Sequence, residues 1–157
     1  MEQDKLDALA SLTTGLYLLT TGTVDEPSGM IVSWVSQVSY EPPLVLAAVR
    51  KNRYLHDIIQ RSGCFGINVL ERGQEDFLPF FKNAPRLEKF KNLELFKADT
   101  GAPLAREALA WLDCGLVEAI SPGDHTLFLG RVERGRRLKN TPPMTSQDYD
   151  HVYSGRR

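Results

Sequence analysis

Two long β-patterned runs near the carboxyl end, Ala110–Ile120 and His125–Glu133, are separated only by Ser121-Pro122-Gly123-Asp124. A four-residue Pro-Gly turn between two such runs leaves an antiparallel hairpin as the short-range solution. The rest of the chain must supply partners for it. Leu16–Thr21 is β-rich and runs through a polar Gly22–Gly29 turn into a second arm, Met30–Tyr40. In that arm Met30, Val32, Trp34, Val38 and Tyr40 share one parity, and Ser33, Gln37 and Ser39 the other, which predicts one apolar face and one hydroxyl-rich face. Glu41-Pro42-Pro43 ends that strand, Leu44–Val49 forms the next, and Cys64–Leu70 another.

Short helices are predicted at Asp4–Thr13, at Leu55–Arg61 with Gly63 as its stop, and at Gln74–Phe81 with its aromatic residues on the core. Leu44–Val49, the helix after it and Cys64–Leu70 allow a strand, crossover, strand order. Lys82–Thr100 reads as a long basic loop or lid, anchored by its phenylalanines. About six strands with turns between them and only short helices point to a small, mainly β antiparallel barrel. Neither Gly-rich phosphate fingerprint follows a strand, which disfavours an ordinary dinucleotide-binding α/β fold.

At 157 residues the chain reads as a single domain, with a core over about 14–138 and a tail over 139–157. Nineteen basic residues balance twenty acidic ones, so bulk charge gives no reason to bind nucleic acid or an anionic membrane. Without a long apolar run or a basic leader, a cytoplasmic location is expected. Cys64 and Cys114 lie far apart in apolar stretches and read as small hydrophobes. His56, His125 and His151 lack ligand spacing, so no metal site is expected; no hydrolase or metalloprotease motif occurs.

What remains is Ser33-Trp34-Val35-Ser36-Gln37-Val38-Ser39, followed by Ala47-Ala48 and by Arg50-Lys51-Asn52-Arg53-Tyr54. Small hydroxyl side chains can line a flat polar ligand, paired alanines permit close approach, and a basic strand end can hold a phosphate. The residues alone are equally read as a wet strand followed by a solvated loop. The basic run Arg131, Arg134, Arg136, Arg137, Lys139 reads as a charged strand edge, with the extra phosphate of NADPH or an acidic redox partner as the other reading.

The segments GMIVSWVSQVSYEPPLVL, RKNRYLHDIIQRSGCFGINVL, Phe90 in its basic loop, Gly101-Ala102-Pro103-Leu104, Ala108–Cys114 and Gly123–Val132 come in an order that resembles the flavin reductase-like FMN-binding split-barrel family. The resemblance runs from about Leu16 to Leu138 and is especially close to flavoredoxin and to the flavin reductase-like domain at the carboxyl end of flavodiiron proteins. It implies a six-stranded, Greek-key antiparallel split barrel, a homodimer, and FMN, or FAD in its place, near the dimer interface. On the matching positions Ser33, Trp34, Val35 and Ser36 border the ring and ribityl chain, with Ser39 and Ala48 nearby. Arg50, Lys51, Asn52 and Tyr54 match the phosphate segment, although relatives often carry Ser and Thr where Asn52 and Tyr54 stand. His125 matches the position on the nicotinamide side of the flavin.

The implied activity is hydride transfer from NAD(P)H to bound flavin, and on to free flavin, ferric iron or a partner protein. The other reading is a flavoredoxin-like electron carrier without NAD(P)H activity. In either, the flavin supplies the chemistry and the protein supplies orientation and dipoles, which agrees with the lack of an acid–base constellation.

Overall fold

The computed structural model describes residues 1–148. The chain forms α1 (Glu2–Ala10), β1 (Tyr17–Gly22), β2 (Pro27–Val32), β3 (Val35–Ser39), β4 (Leu44–Arg50), α2 (Tyr54–Ser62), β5 (Cys64–Val69), α3 (Phe77–Asn83), β6 (Leu95–Lys97), β7 (Pro103–Ala105), β8 (Ala110–Ile120) and β9 (His125–Arg137). Seven strands make one antiparallel sheet in the order β2-β1-β5-β8-β9-β4-β3, and β6 pairs with β7 alone. No helix among the described residues is long and apolar enough to cross a membrane.

The two edge strands, β2 and β3, are consecutive in the chain and joined by Ser33-Trp34 only. Flat, a seven-stranded sheet would put its edges roughly 29 Å apart, whereas Val32 and Val35 can be separated by at most about 11 Å of chain. The sheet therefore has to curl until its edges meet, and Ser33-Trp34 crosses the seam. This is the mainly β split barrel expected from the sequence, built on seven strands rather than six.

The seam also corrects the expected Met30–Tyr40 strand. Because the chain leaves one sheet edge and joins the other, its parity restarts at Val35, and the β3–β4 register shifts between Gln37 and Ser39. Val35 packs on the core, while Val38 is 50% and Tyr40 90% exposed, so the predicted continuous apolar face does not exist. The β1–β2 hairpin starts earlier than expected, with Pro27 opposite Gly22, whose φ of 83° suits glycine.

The β8–β9 hairpin forms as expected. Its face toward the core admits no side chain at Gly130: a Cβ there would stand 2.5 Å from Phe65 Cζ and 2.9 Å from Cys114 Cβ. Leu19, Val45, Ala47, Val49, Phe65, Ile67, Cys114 and Phe128 fill the barrel, and Leu55 and Ile59 of α2, one turn apart, close one end. Gly63 caps α2 in the left-handed region, its amide donating to the Ile59 carbonyl at 2.9 Å. The expected strand, crossover, strand order is present as β4-α2-β5, with β8 and β9 lying between the two strands in the sheet. Both cysteines are free and buried, and burial pushes each thiol up from its ordinary pKa.

A second apolar cluster, Leu16, Leu18, Ile31, Leu70, Leu78, Phe81 and Met144, lies outside the barrel under α3. Phe77 and Phe81 turn inward as expected, but Phe80 is 41% exposed. The basic loop is shorter than predicted, since β6 interrupts Lys82–Thr100 and Arg86–Glu88 makes a 3₁₀ turn. In the tail, Met144 is fully buried and exchanges backbone hydrogen bonds with Leu16 and Leu70. Lys139 reaches Glu71 at 2.8 Å, and that hydrogen bond holds the Glu71 carboxyl below its usual range. The tail thus binds its own body up to Asp148; Tyr149 and Tyr153 lie outside the described residues. The amino-terminal helix ends at Ala10, not Thr13, and buries no residue.

Candidate functional site

A cavity of about 1100 Å³ opens where the seam meets the end of β4. One wall is strand-built. Ser33 and Trp34 lie outside both ladders, the Trp34 carbonyl accepts from the Ala48 amide at 2.9 Å, and Ser33 is buried on the cavity wall. Ala48 has to be small for this crossing to pass over it.

Register brings the wall's charged corner together, because Arg50 stands opposite His125. The Asp124 carboxylate lies 2.7 Å from His125 Nδ1 and 3.8 Å from Arg50 Nε. A carboxylate only accepts, so Nδ1 carries the proton and Nε2 is the ring atom left for a ligand. The hydrogen bond from His125, helped by the charges of His125 and Arg50, holds the Asp124 carboxyl below its usual range. The imidazole packs on Trp34 with ring centroids 4.7 Å apart, tilted 44°.

The opposite wall comes from helices and loop. Leu6 and Leu9 of α1, Phe81 and Lys82 of α3, and Lys89 line it, and Arg53 and Tyr54 stand between the walls. Arg86 lies over the Tyr54 ring at 4.0 Å, and Lys89 Nζ is 5.3 Å from the Phe81 ring centre. Burial and then the nearby Arg53 charge push the Lys89 ammonium below its ordinary pKa. Five cations, Lys5, Arg50, Arg53, Lys82 and Lys89, thus face one cavity with Glu2 and Asp124 as its only acids, and Lys5 is already paired with Glu2.

Of the residues singled out from sequence, Ser33, Trp34, Ala48, Arg50, Tyr54 and His125 come together here. Val35, Ser36, Ser39, Lys51 and Asn52 do not line the cavity. Val35 faces the barrel core, Ser36 is exposed and donates to the Gln37 carbonyl, and Ser39 follows the register shift. Lys51 and Asn52 are exposed on the turn after β4, where the Lys51 amide ties to the Asp124 carbonyl at 3.0 Å. Sequence reasoning took Arg53 only as part of the basic Arg50–Tyr54 segment, read Lys82 and Lys89 as part of a basic loop or lid, and gave α1 no place in the site. The signal for the lysines was their place beside Phe81 and Phe90, whose packing at 5.3 Å fixes where the loop lies. The Arg131–Lys139 run is far less site-like: none of it lines the cavity, Arg134 pairs with Asp99 and Lys139 with Glu71.

The arrangement suits a flavin phosphate. Lys89 and Arg53 repel each other across the cavity, which an anionic group between them would relieve, while buried Ser33 and the Trp34–His125 pair offer a polar edge beside an aromatic surface.

Residues 9–155 match the model of the flavin reductase-like domain family. The chain belongs to this family. A diflavin flavoprotein A 1 of Synechocystis sp. is 31% identical over 142 residues, covering 88% of this chain and 25% of its own length. The chain thus spans about a quarter of the length of the curated relatives it matches. The NADH:FAD oxidoreductase of Streptomyces globisporus C-1027 superposes with a TM-score of 0.83 at 31% identity, over 99% of this chain and 91% of that one. BorF, the flavin reductase component of a bacterial two-component tryptophan halogenase, gives 0.82 at 31% identity, over 99% and 96%.

Proposed function

We propose that this domain takes hydride from NAD(P)H onto an FMN held in the 1100 Å³ cavity and passes the electrons to free flavin, ferric iron or a partner protein. The observation that carries this reading is the meeting, in one cavity, of the seam residues Ser33 and Trp34, the His125 ring and the cations Arg50, Arg53, Lys82 and Lys89. Arg53, Lys82 and Lys89, with Arg50, would hold the phosphate; Ser33 and the Trp34 backbone would border the ring system; FAD could extend along the same cations. A bound flavin supplies the redox chemistry, accepting two electrons and a proton equivalent as hydride.

The chain's own residues have three tasks. The strand-built wall orients, since Trp34 and Ala48 are locked by a backbone bond. The cations neutralise the phosphate. His125, with Nδ1 tied to Asp124, presents Nε2 to the nicotinamide side. A homodimer is part of the same proposal: Leu44, Leu46, Leu127 and Leu129 are half-buried on the outer face of adjoining β4 and β9, and Trp34, Val38 and Ile120 are exposed close by. Sedimentation equilibrium checks it, with a 17.6 kDa species against its double.

The deciding experiment is a visible spectrum after loading with FMN and desalting, followed anaerobically by NADH and then NADPH. Retained flavin that bleaches supports the reading and says which nucleotide serves. Retained flavin that neither nucleotide bleaches overturns the reductase in favour of an electron carrier reduced by another protein. Failure to retain any flavin removes both.

A further inference from the structure

His56 is the one histidine in the described residues that the proposed chemistry does not use, yet it is the more deeply held of the two. Its side chain is 13% exposed, with Nε2 2.6 Å from Thr126 Oγ1 and Nδ1 3.0 Å from Asp57 Oδ1. Thr126 is 1% exposed, and its hydroxyl also meets Ser121 Oγ at 3.0 Å. The ring edge packs on Phe128 of the barrel core, with centroids 5.3 Å apart.

The directions of these bonds follow from the groups. Asp57 accepts, so Nδ1 carries the proton in the neutral ring; Nε2 then accepts from the Thr126 hydroxyl, whose oxygen accepts from Ser121. The chain Ser121–Thr126–His56–Asp57 spans both ends of the turn that carries Asp124 and His125, and fastens it to α2. The other chain on that turn, Arg50–Asp124–His125–Trp34, is more open: its Arg50–Asp124 contact is 3.8 Å long between side chains 45% and 65% exposed. An exposed pair of that length holds a turn poorly, whereas the part-buried His56–Thr126 bond meets less competing water. Beyond the β4–β9 ladder and the Lys51–Asp124 backbone bond, the side-chain hold on the His125 turn therefore comes chiefly from the inner chain.

We propose that His56 is a positioning residue, which acts through Thr126 to fix the His125 turn against the flavin cavity. This rests on the role given to His125 above. The inference also explains why α2, which begins at the proposed phosphate-binding corner, is joined to the first residues of β9: one hydrogen bond keeps the cation end and the histidine end of the site in register.

Two readouts test it. The first needs no turnover: in the 15N-labelled full chain, the His125 imidazole correlations report its tautomer and ring-proton protection. Thr126→Val keeps the shape and removes the hydroxyl; we expect the His125 Nδ1–H signal to lose protection, and Thr126→Ser to restore it. The second is a coupling cycle on NADH-driven reduction of bound FMN. His56→Ala should lower kcat at least about tenfold with FMN affinity unchanged, His56→Gln should recover most of it, and in a His125→Ala background the His56→Ala loss should vanish. Unmoved His125 signals in Thr126→Val, or His56 and His125 losses that simply multiply, overturn the proposal. Should the unmodified chain hold flavin that no pyridine nucleotide reduces, the reductase reading falls by itself, and the imidazole signals still decide the fate of His56.

Discussion

The two walls of the cavity are made in different ways. The seam wall is carried by β4, β9 and the Ser33-Trp34 crossing, each residue fixed by a ladder or by a backbone bond such as Ala48 to Trp34. The facing wall is carried by α1, which buries no residue, and by a loop that two phenylalanines pin to the outer cluster. One wall holds shape and the other supplies charge and cover. Orientation for hydride transfer needs placement within fractions of an ångström, whereas a phosphate is attracted over longer distances and tolerates mobile cations. The division therefore matches what each half of a flavin demands.

The strongest way to break this comparison is through stability. Phe128 is fully buried in the barrel and lies under His56. Phe128→Ala should cost about 3–5 kcal/mol by lost transfer energy and a residual cavity, read as a shifted denaturation midpoint. An equal cost from a substitution in α1 would show that the walls are not different in kind.

Next in size is flavin affinity. Lys89→Ala removes a cation that Arg53 already crowds, so the folded chain itself should hardly notice. Flavin should notice more: losing one charge-assisted phosphate contact is worth about 1.5–3 kcal/mol, or roughly ten- to a hundred-fold in Kd by FMN fluorescence titration. Lys51→Ala, on the turn outside the cavity, should leave Kd within about twofold. Equal losses would restore Lys51 to the phosphate site and remove the meaning of the loop wall.

These expectations bear on what a sequence can disclose. The seam wall was partly legible, because turn residues and alternation are local signals: Ser121–Asp124 announced the β8–β9 hairpin, whereas the Arg50–His125 register is a long-range pairing that no turn announces. The seam itself was not. Nothing local in Met30–Tyr40 says that Val32 and Val35 belong to opposite sheet edges, so Ser36 and Ser39 were grouped with Ser33 and Trp34, although of these four only Ser33 and Trp34 line the cavity. The loop wall was less legible still, since a lysine beside a phenylalanine has the same composition whether it faces bulk water or a cavity. Only the packing of Phe81 on Phe90 decides that for Lys82 and Lys89.

A smaller effect should appear in acid. The Asp124 carboxyl is held below the usual range by His125, so its folded pKa lies under the unfolded one. That stabilising contribution is complete above the ordinary carboxylate value of about 4, and is lost as pH falls through the lower folded value. Trp34, against which His125 packs, reports the change. Its emission should hold steady through pH 5 and shift only below about 4; in Asp124→Asn that step should disappear. A step that survives in Asp124→Asn would assign the acid transition elsewhere, with Glu71 and Asp148 of the tail contacts, both similarly depressed, as the groups to examine.

The smallest expected effect separates cover from scaffold. Leu6 and Leu9 face the cavity, yet α1 has no buried residue and its salt bridges, Lys5–Glu2 and the amino terminus to Asp4, are internal and exposed. Such pairs contribute little, and a nine-residue helix is marginal by itself. Leu6→Asp with Leu9→Asp should leave the denaturation midpoint within about 0.5 kcal/mol of the parent. Placing two carboxylates over a cavity that holds a phosphate should nevertheless speed flavin release, by about two- to fivefold at low salt and less at high salt, in a stopped-flow chase with excess unlabelled flavin. The salt dependence is the decisive part. If release quickens equally at all ionic strengths, α1 acts by contact with the ring system; if the midpoint falls by more than about 1 kcal/mol, α1 belongs to the scaffold, and the two walls differ less than their hydrogen bonds suggest.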